Sequence, residues 1–206
     1  GNIIKYIKMT ASSNFGNMLS VLGASALLPF LPMAPVQILL NNLMYDFSQT
    51  AVATDEVDEA YIAQPRSWDM RAIARFVLCI GPISSIFDYA TYGLMWYVFQ
   101  ANDAAHAALF QTGWFVESLL SQTLIVHVIR TGRIPFLQSM ASLPLRVATV
   151  TICGIGVLLP FSAAAPWFGF APLPGGYWPY LAAIVLAYMT LTQVVKGWLI
   201  RRFGLA

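Results

Sequence analysis

Six apolar stretches, each about long enough to cross a lipid bilayer, govern what this chain can fold into. They run from about Phe15 to Leu31, Val36 to Thr54, Ile73 to Phe99, Ala107 to Ile129, Val147 to Ala165 and Tyr177 to Ile200. A helical span needs about 20 apolar residues. Pro29, Pro32 and Pro35 break the helix between the first two stretches. Backbone amides in hydrocarbon must be satisfied within their own segment, so the stretches are helices and not open sheet. The expected fold is all-α, a six-helix transmembrane bundle forming one domain over residues 1–206. With 58% hydrophobic and 10% charged residues, the chain is too apolar for an ordinary soluble domain, and no nucleic-acid partner is expected.

Charge placement gives the bundle an orientation. Lys5 and Lys8 precede the first stretch, and Arg66, Arg71 and Arg75 lie about the start of the third. Arg130, Arg133 and Arg146 follow the fourth, and Lys196, Arg201 and Arg202 end the sixth. All eleven basic residues therefore fall on alternate connections, while the turns around Pro32, Asp103 and Pro172 hold none. The positive-inside rule then predicts that both termini are cytoplasmic. The chain opens on a basic amphipathic run, Asn2 to Lys8, with no signal peptide visible and no initiator methionine, and it reads as a piece of something longer.

Polar groups at bilayer depth are expensive and mark ion or substrate pathways by default. In the first span Ser12, Gly16, Ser20 and Ala24 recur every four residues, a stripe of small side chains that permits close helix approach. Asn14 and Asn17 lie beside it at i and i+3, so two carboxamides are expected to point into a helix contact. The second span carries Gln37, Asn41, Asn42, Asp46, Ser48 and Gln49, too many polar groups for a lipid-facing helix, and is expected to be enclosed by its neighbours. Asn42 and Asp46 share one face; Asn41 and Tyr45 share an adjacent one. Hard cations such as Mg²⁺ and Ca²⁺ take oxygen ligands, and Mg²⁺ is often held through its waters by one or two carboxylates. A single aspartate among several amides fits that demand.

Asp88 and Glu117 lie well inside the third and fourth spans. Asp88 follows Pro82, which removes a backbone hydrogen bond, and reads as either a ligand or a structural partner. Glu117, with Ser121 one turn on and Trp114 almost one turn back, reads as part of an ion path. His127, near the end of its span, reads as an interfacial or packing histidine. Trp96, Tyr97, Trp167, Tyr177, Trp178, Tyr180 and Trp198 cluster near span ends, as interfacial belts do. The acidic run Asp55-Glu56-Val57-Asp58-Glu59 reads first as a solvated face, with docking to a cytoplasmic domain as the alternative. Cys79 and Cys153 sit in different spans and give neither a disulfide framework nor a metal-ligand spacing. No phosphate loop, paired metal-ligand motif or activated nucleophile is visible.

The runs Tyr6-Ile7-Lys8-Met9-Thr10-Ala11-Ser12-Ser13-Asn14-Phe15-Gly16-Asn17 and Asn42-Leu43-Met44-Tyr45-Asp46 resemble the fifth and sixth membrane helices of P-type cation-transporting ATPases. Gly81 to Asp88, Met95-Trp96-Tyr97-Val98-Phe99 and Thr112-Gly113-Trp114-Phe115-Val116-Glu117 through His127 look like the magnesium-transporting branch. The resemblance covers essentially the whole chain and implies that its six spans are helices five to ten. It further implies ion ligands at Asn14, Asn42, Asp46 and Glu117, as in the related calcium pumps. Asn17 stands where those pumps have a glutamate, and Tyr45 where they have a threonine. Both departures argue for a single, less negative site suited to partly hydrated Mg²⁺. The metal-site expectation is therefore Asn14, Asn17, Asn42, Asp46 and Glu117, with Asn41, Tyr45 and Asp88 as candidates for the ion path.

The Asp-Lys-Thr-Gly-Thr phosphorylation motif, the nucleotide domain and the proline-interrupted fourth helix of that family do not occur in these residues. ATP would bind in those missing parts, and this chain alone should neither hydrolyse it nor transport. The implied setting is a multi-pass importer in a bacterial plasma membrane, packed against lipids and against the remaining helices and cytoplasmic domains of the same pump. A rival reading is an autonomous secondary transporter or channel relaying ions through Asp46, Asp88 and Glu117, although residues 1–100 and 101–206 show no matching halves of the kind such carriers often have. A purely structural membrane anchor is the third reading.

Overall fold

A computed structural model describes residues 1–59, 63 and 69–204. Six long helices follow one another: α1 (Asn2–Leu27), α2 (Pro35–Thr50), α3 (Met70–Gly93), α4 (Ala107–Ile129), α5 (Leu143–Leu158) and α6 (Tyr177–Phe203). No strand occurs among the described residues, as expected of an all-α bundle. By length and composition, Met70–Val98, Leu143–Phe161 and Tyr177–Phe203 can each cross a membrane. The other three helices carry most of the polar residues singled out above.

Helix α4 is the centre. It packs against each of the other five helices, and 17 of its 23 residues are buried. α5 buries only three of its residues, Leu145, Thr149 and Gly156, and shows Val147, Val150, Ile155 and Leu158 to the outside. An apolar helix buried on all sides and another apolar on its outer face are both what a bundle in lipid requires.

The closest helix pair is α1 with α3. Ser12, Gly16, Ser20 and Ala24 are all buried, as the four-residue stripe predicts. A Cβ at Gly16 would lie 2.7 Å from the Gly81 carbonyl oxygen, and one at Gly81 would lie 3.2 Å from that of Ser12. Only glycines allow the two backbones this close. Ser85 Oγ donates to the Gly16 carbonyl at 2.8 Å, a bond that the same closeness makes reachable.

Several helix ends differ from the apolar boundaries. α1 starts at Asn2, so the basic run is a continuous extension of the first helix. α3 starts at Met70, where the Asp69 carboxylate caps the amides of Arg71 and Ala72. Arg71 and Arg75 therefore ride on the helix, with the Arg75 guanidinium over the Phe203 ring at 5.4 Å. Arg66 lies outside the described residues. α3 runs on through Pro82 and ends in a π turn over Leu94–Val98.

The acidic run is a solvated face only in part: Glu56 and Glu59 are exposed as expected, whereas Asp55 and Asp58 are not. Asp55 is buried and ion-paired with Lys5 at 2.9 Å and with Arg130 at 2.9 Å. It also accepts from the Ser142 amide. Asp58 accepts from the Thr131 hydroxyl and the Gly132 amide. Nearby, Lys196 donates to the carbonyls of Val128 and Thr131, supplying positive charge where α4 leaves carbonyls without helical partners. Asp55 and Asp58 thus form a clamp that ties the start of α1 to the segment leaving α4. These two are drawn out of solvent because two cations and three further donors lie within reach, all from elements distant in sequence.

Tyr177 is a second correction, because it is 1% exposed and its hydroxyl donates to the Gly113 carbonyl. It belongs to the core, whereas Tyr97, Trp167, Tyr180 and Trp198 remain outward.

Burial alone raises the Asp55 pKa, but the hydrogen bonds from Lys5 and Arg130 outweigh it and hold the carboxyl below its ordinary value of 3.8. The folded pKa is depressed, so the clamp is fully present above 3.8 and is lost only as pH falls below it. Asp55→Asn leaves Arg130 buried and unpaired and should cost about 3–5 kcal/mol. Denaturant unfolding of the purified protein in detergent measures it; wild-type stability in the variant would contradict the clamp.

Candidate functional site

Helices α1 and α2 are joined by side-chain hydrogen bonds in an antiparallel register. Thr10 Oγ1 donates to Gln49 Oε1 at 3.0 Å, and the hydroxyls of Ser13 and Tyr45 bond at 2.8 Å. Gln49 Nε2 also donates to the Tyr45 hydroxyl. These bonds bring Asn14, which follows Ser13, to the level of Asn42 and Asp46, which flank Tyr45 along α2.

The two faces of α2 differ sharply. Gln37, Asn41, Met44, Tyr45, Ser48 and Gln49 are buried, and Gln37 Nε2 donates to the Phe168 carbonyl at 2.8 Å. Asn42 and Asp46 are exposed, among the apolar and equally exposed Leu39, Leu43 and Phe47. Neighbours therefore enclose only one face of α2, a correction to the expectation of full enclosure. Periodicity does separate the pairs as expected: Asn41 with Tyr45 inside, Asn42 with Asp46 outside.

On α1 the two carboxamides part company. Asn17 is half-buried and its Oδ1 accepts from Gln122 Nε2 at 3.1 Å. Asn14 is exposed, beside Met18 and Leu22 on the outer side. Residues three apart on a helix are separated by about 60° around its axis, enough for the edge of the contact to pass between them. The expectation that both point into one helix contact holds for Asn17 only.

A second polar group lies wholly inside, between α1, α3 and α4. Asp88 is 3% exposed and Glu117 is 1% exposed. Ser20 Oγ donates to Asp88 Oδ2 at 2.5 Å, and Trp114 Nε1 donates to Asp88 Oδ1 at 2.8 Å. Glu117 Oε2 is buried without a hydrogen-bond partner among the described residues, and the Ser121 hydroxyl donates to the Ser118 carbonyl at 3.1 Å. Tyr92 packs edge-on to the Trp114 ring at 5.0 Å between centroids. Ser20 and Trp114 as partners of Asp88, and Gln122 as the partner of Asn17, were not legible in the chain. The small-residue stripe is the signal that points to Ser20.

Among the described residues no group of three or more His, Cys, Asp or Glu side chains could hold a metal. The oxygen donors instead form two sets, one exposed at Asn14, Asn42 and Asp46, the other buried at Asp88 and Glu117, with Asn17, Asn41 and Tyr45 between α1, α2 and α4. Asn41 Oδ1 and Gln122 Oε1 are buried without a hydrogen-bond partner among the described residues. Such orphaned oxygens are rare and call for a water or an ion. His127, by contrast, bonds Thr149 at 2.8 Å and stacks on Phe136, and so packs.

Residues 30–198 match the family described as "Cation transporting ATPase, C-terminus". The chain is 54% identical over 204 residues to the protein named "Magnesium-transporting ATPase, P-type 1" of Salmonella typhimurium, covering 99% of this chain and 22% of that protein. It is 56% identical over 203 residues to the protein of the same name from Escherichia coli K12, covering 98% of this chain and 23% of the relative. It thus spans less than a quarter of the length of these relatives.

The register of α1 on α2 is testable by a double-mutant cycle. Ser13→Ala and Tyr45→Phe should each destabilise the purified protein by about 1 kcal/mol, and the double variant by less than the sum. Thermal unfolding in detergent reads this out; strict additivity would mean that the two hydroxyls do not meet.

Proposed function

The chain belongs to the family of cation-transporting ATPases, as their C-terminal part, and we propose that it is the membrane transport region of an ATP-driven pump that imports Mg²⁺ into a bacterial cell. The observation that carries this reading is the exposed trio Asn14, Asn42 and Asp46 at one level of the α1–α2 pair. Amides and a carboxylate on helix faces otherwise made of leucine, methionine and phenylalanine are poorly placed against lipid. They suit a face that the preceding membrane helices of the same pump cover, with a cation at the junction.

The ligand set is Asn14, Asn17, Asn42 and Asp46, with Glu117 from α4, while Asn41 and Tyr45 border the path. One carboxylate and several amide oxygens suit a Mg²⁺ that keeps part of its water shell. The names of the two bacterial relatives support that ion. ATP binds and phosphorylates in the domains outside this chain, and the long N-terminal turns of α1 transmit the change to the site. All six helices span the plasma membrane with both termini cytoplasmic, on the strength of the alternating basic connections. No observation favours an autonomous secondary transporter or channel.

In the complete pump, Asp46→Asn should abolish Mg²⁺-stimulated ATP hydrolysis while the protein still assembles; undiminished activity would remove Asp46 from the site. Asn17→Glu should raise the affinity for Ca²⁺ relative to Mg²⁺, measured by activation of ATP hydrolysis, and unchanged selectivity would count against its facing the ion.

A further inference from the structure

Gln122 stands outside the proposed ligand set, yet it reaches from α4 to a carboxamide of α1 that belongs to it. Its Nε2 donates to Asn17 Oδ1 at 3.1 Å and to Ser118 Oγ at 2.6 Å. Ser118 lies one turn back on the same helix face, so the amide is held by its own helix while it holds the neighbouring one. Both bonds use the nitrogen end. The oxygen end, Oε1, is buried without a hydrogen-bond partner among the described residues, on a side chain that is 5% exposed.

A second unpaired oxygen comes to the same level from α2. Ser13 bonds Tyr45 across the antiparallel α1–α2 pair; one turn further along α1 is Asn17, and one turn back along α2 is Asn41, so these two carboxamides share a level. Asn41 is 3% exposed, and its Oδ1 also lacks a partner among the described residues. Bonds beyond both ends of α2, from Gln111 Nε2 to the Leu31 carbonyl and from Arg130 to Asp55, lay α2 alongside α4. Asn41 then falls at the turn of α4 that carries Ser118 and Gln122. Three helices thus bring three carboxamides to one depth, with two acceptor oxygens unpaired.

We propose that Gln122 and Asn41 form an outer seat of the cation site: Gln122 Oε1 and Asn41 Oδ1 accept hydrogen bonds from water that Mg²⁺ carries, while Gln122 Nε2 holds Asn17 in place as a ligand. Buried acceptors call for a donor, and water on a divalent ion is a strong one because the ion polarises it. Asn17 Oδ1 accepts one bond from Gln122 and keeps a second lone pair for the ion. Mg²⁺ loses its waters reluctantly, whereas Ca²⁺ takes six to eight oxygen ligands in flexible geometry. Neutral acceptors set back from the ion therefore favour Mg²⁺, and the two amides determine specificity without entering its coordination sphere. This inference rests on the reading of the chain as part of a Mg²⁺ pump with Asn17 and Asp46 in the site.

Titration calorimetry of the complete pump in detergent, without nucleotide, tests it, with Mg²⁺ titrated directly and Ca²⁺ affinity read by competition. Gln122→Met, close in shape but without the amide, should weaken Mg²⁺ binding by about tenfold or more, as loss of an outer partner does, and change Ca²⁺ binding much less. Asn41→Leu, on a different helix, should show the same selective loss, and it carries the test if Gln122→Met fails to assemble. Equal losses for both ions, or unchanged Mg²⁺ affinity, would overturn the seat; loss of Mg²⁺ binding in Asp46→Asn under the same conditions would leave the pump reading standing. Mg²⁺ binding undiminished in Asp46→Asn would overturn that reading and the seat with it.

Discussion

A polar side chain that leaves water must find a partner inside the protein or border a path for something polar, and this bundle is arranged around that constraint. Where partners exist, they are used: Asp55 takes Lys5 and Arg130, Asp88 takes Ser20 and Trp114, and Tyr45 takes Ser13. Where they do not, the unpaired buried oxygens among the described residues lie in helices α1, α2, α4 and α6. An unpaired buried polar group costs about 1–3 kcal/mol. A bundle that keeps several is expected to gain from them elsewhere, and the proposed passage of a hydrated cation would be such a gain.

The architecture follows from the position of α4. Touching all five other helices, it can bring Glu117, Ser118 and Gln122 to the inner sides of α1 and α3 while burying Phe110, Phe115 and Leu119 among the rest. The glycine contact between α1 and α3 sets the spacing that lets Ser20 reach Asp88. At the end of α4 that carries Arg130, the Asp55 clamp fixes the start of α1 against the segment leaving α4, so a displacement of the first turns of α1 is carried into the bundle. Ionic ties at that level and neutral ones deeper in match the cost of charge in a low-dielectric interior.

Much of this was legible in the chain, for identifiable reasons. Apolar stretches located six helices because in lipid the backbone leaves no other choice, and residue spacing separated Asn41 and Tyr45 from Asn42 and Asp46 because a helix has a fixed period. What the chain could not disclose were contacts between distant segments. Asp55 looked like one of several solvated acids because Arg130 lies 75 residues away, and Tyr177 looked like a belt residue because nothing local reveals the Gly113 carbonyl above it. Asn14 and Asn17 seemed equivalent, since a period gives directions around an axis but not where a neighbouring helix ends. The extent of α1 down to Asn2 was hidden by reading hydrophobic length as helix length.

The central claim is that α1 and α2 present oxygen ligands to a divalent cation at the level of Asp46. Anomalous diffraction from crystals of the complete pump with Mn²⁺ in place of Mg²⁺ tests it most directly. A peak within metal–oxygen bonding distance of the Asp46 carboxylate, or one water beyond it, with Asn14 and Asn42 around it, is the result expected. A peak at another depth of the membrane, remote from all three, would contradict the account.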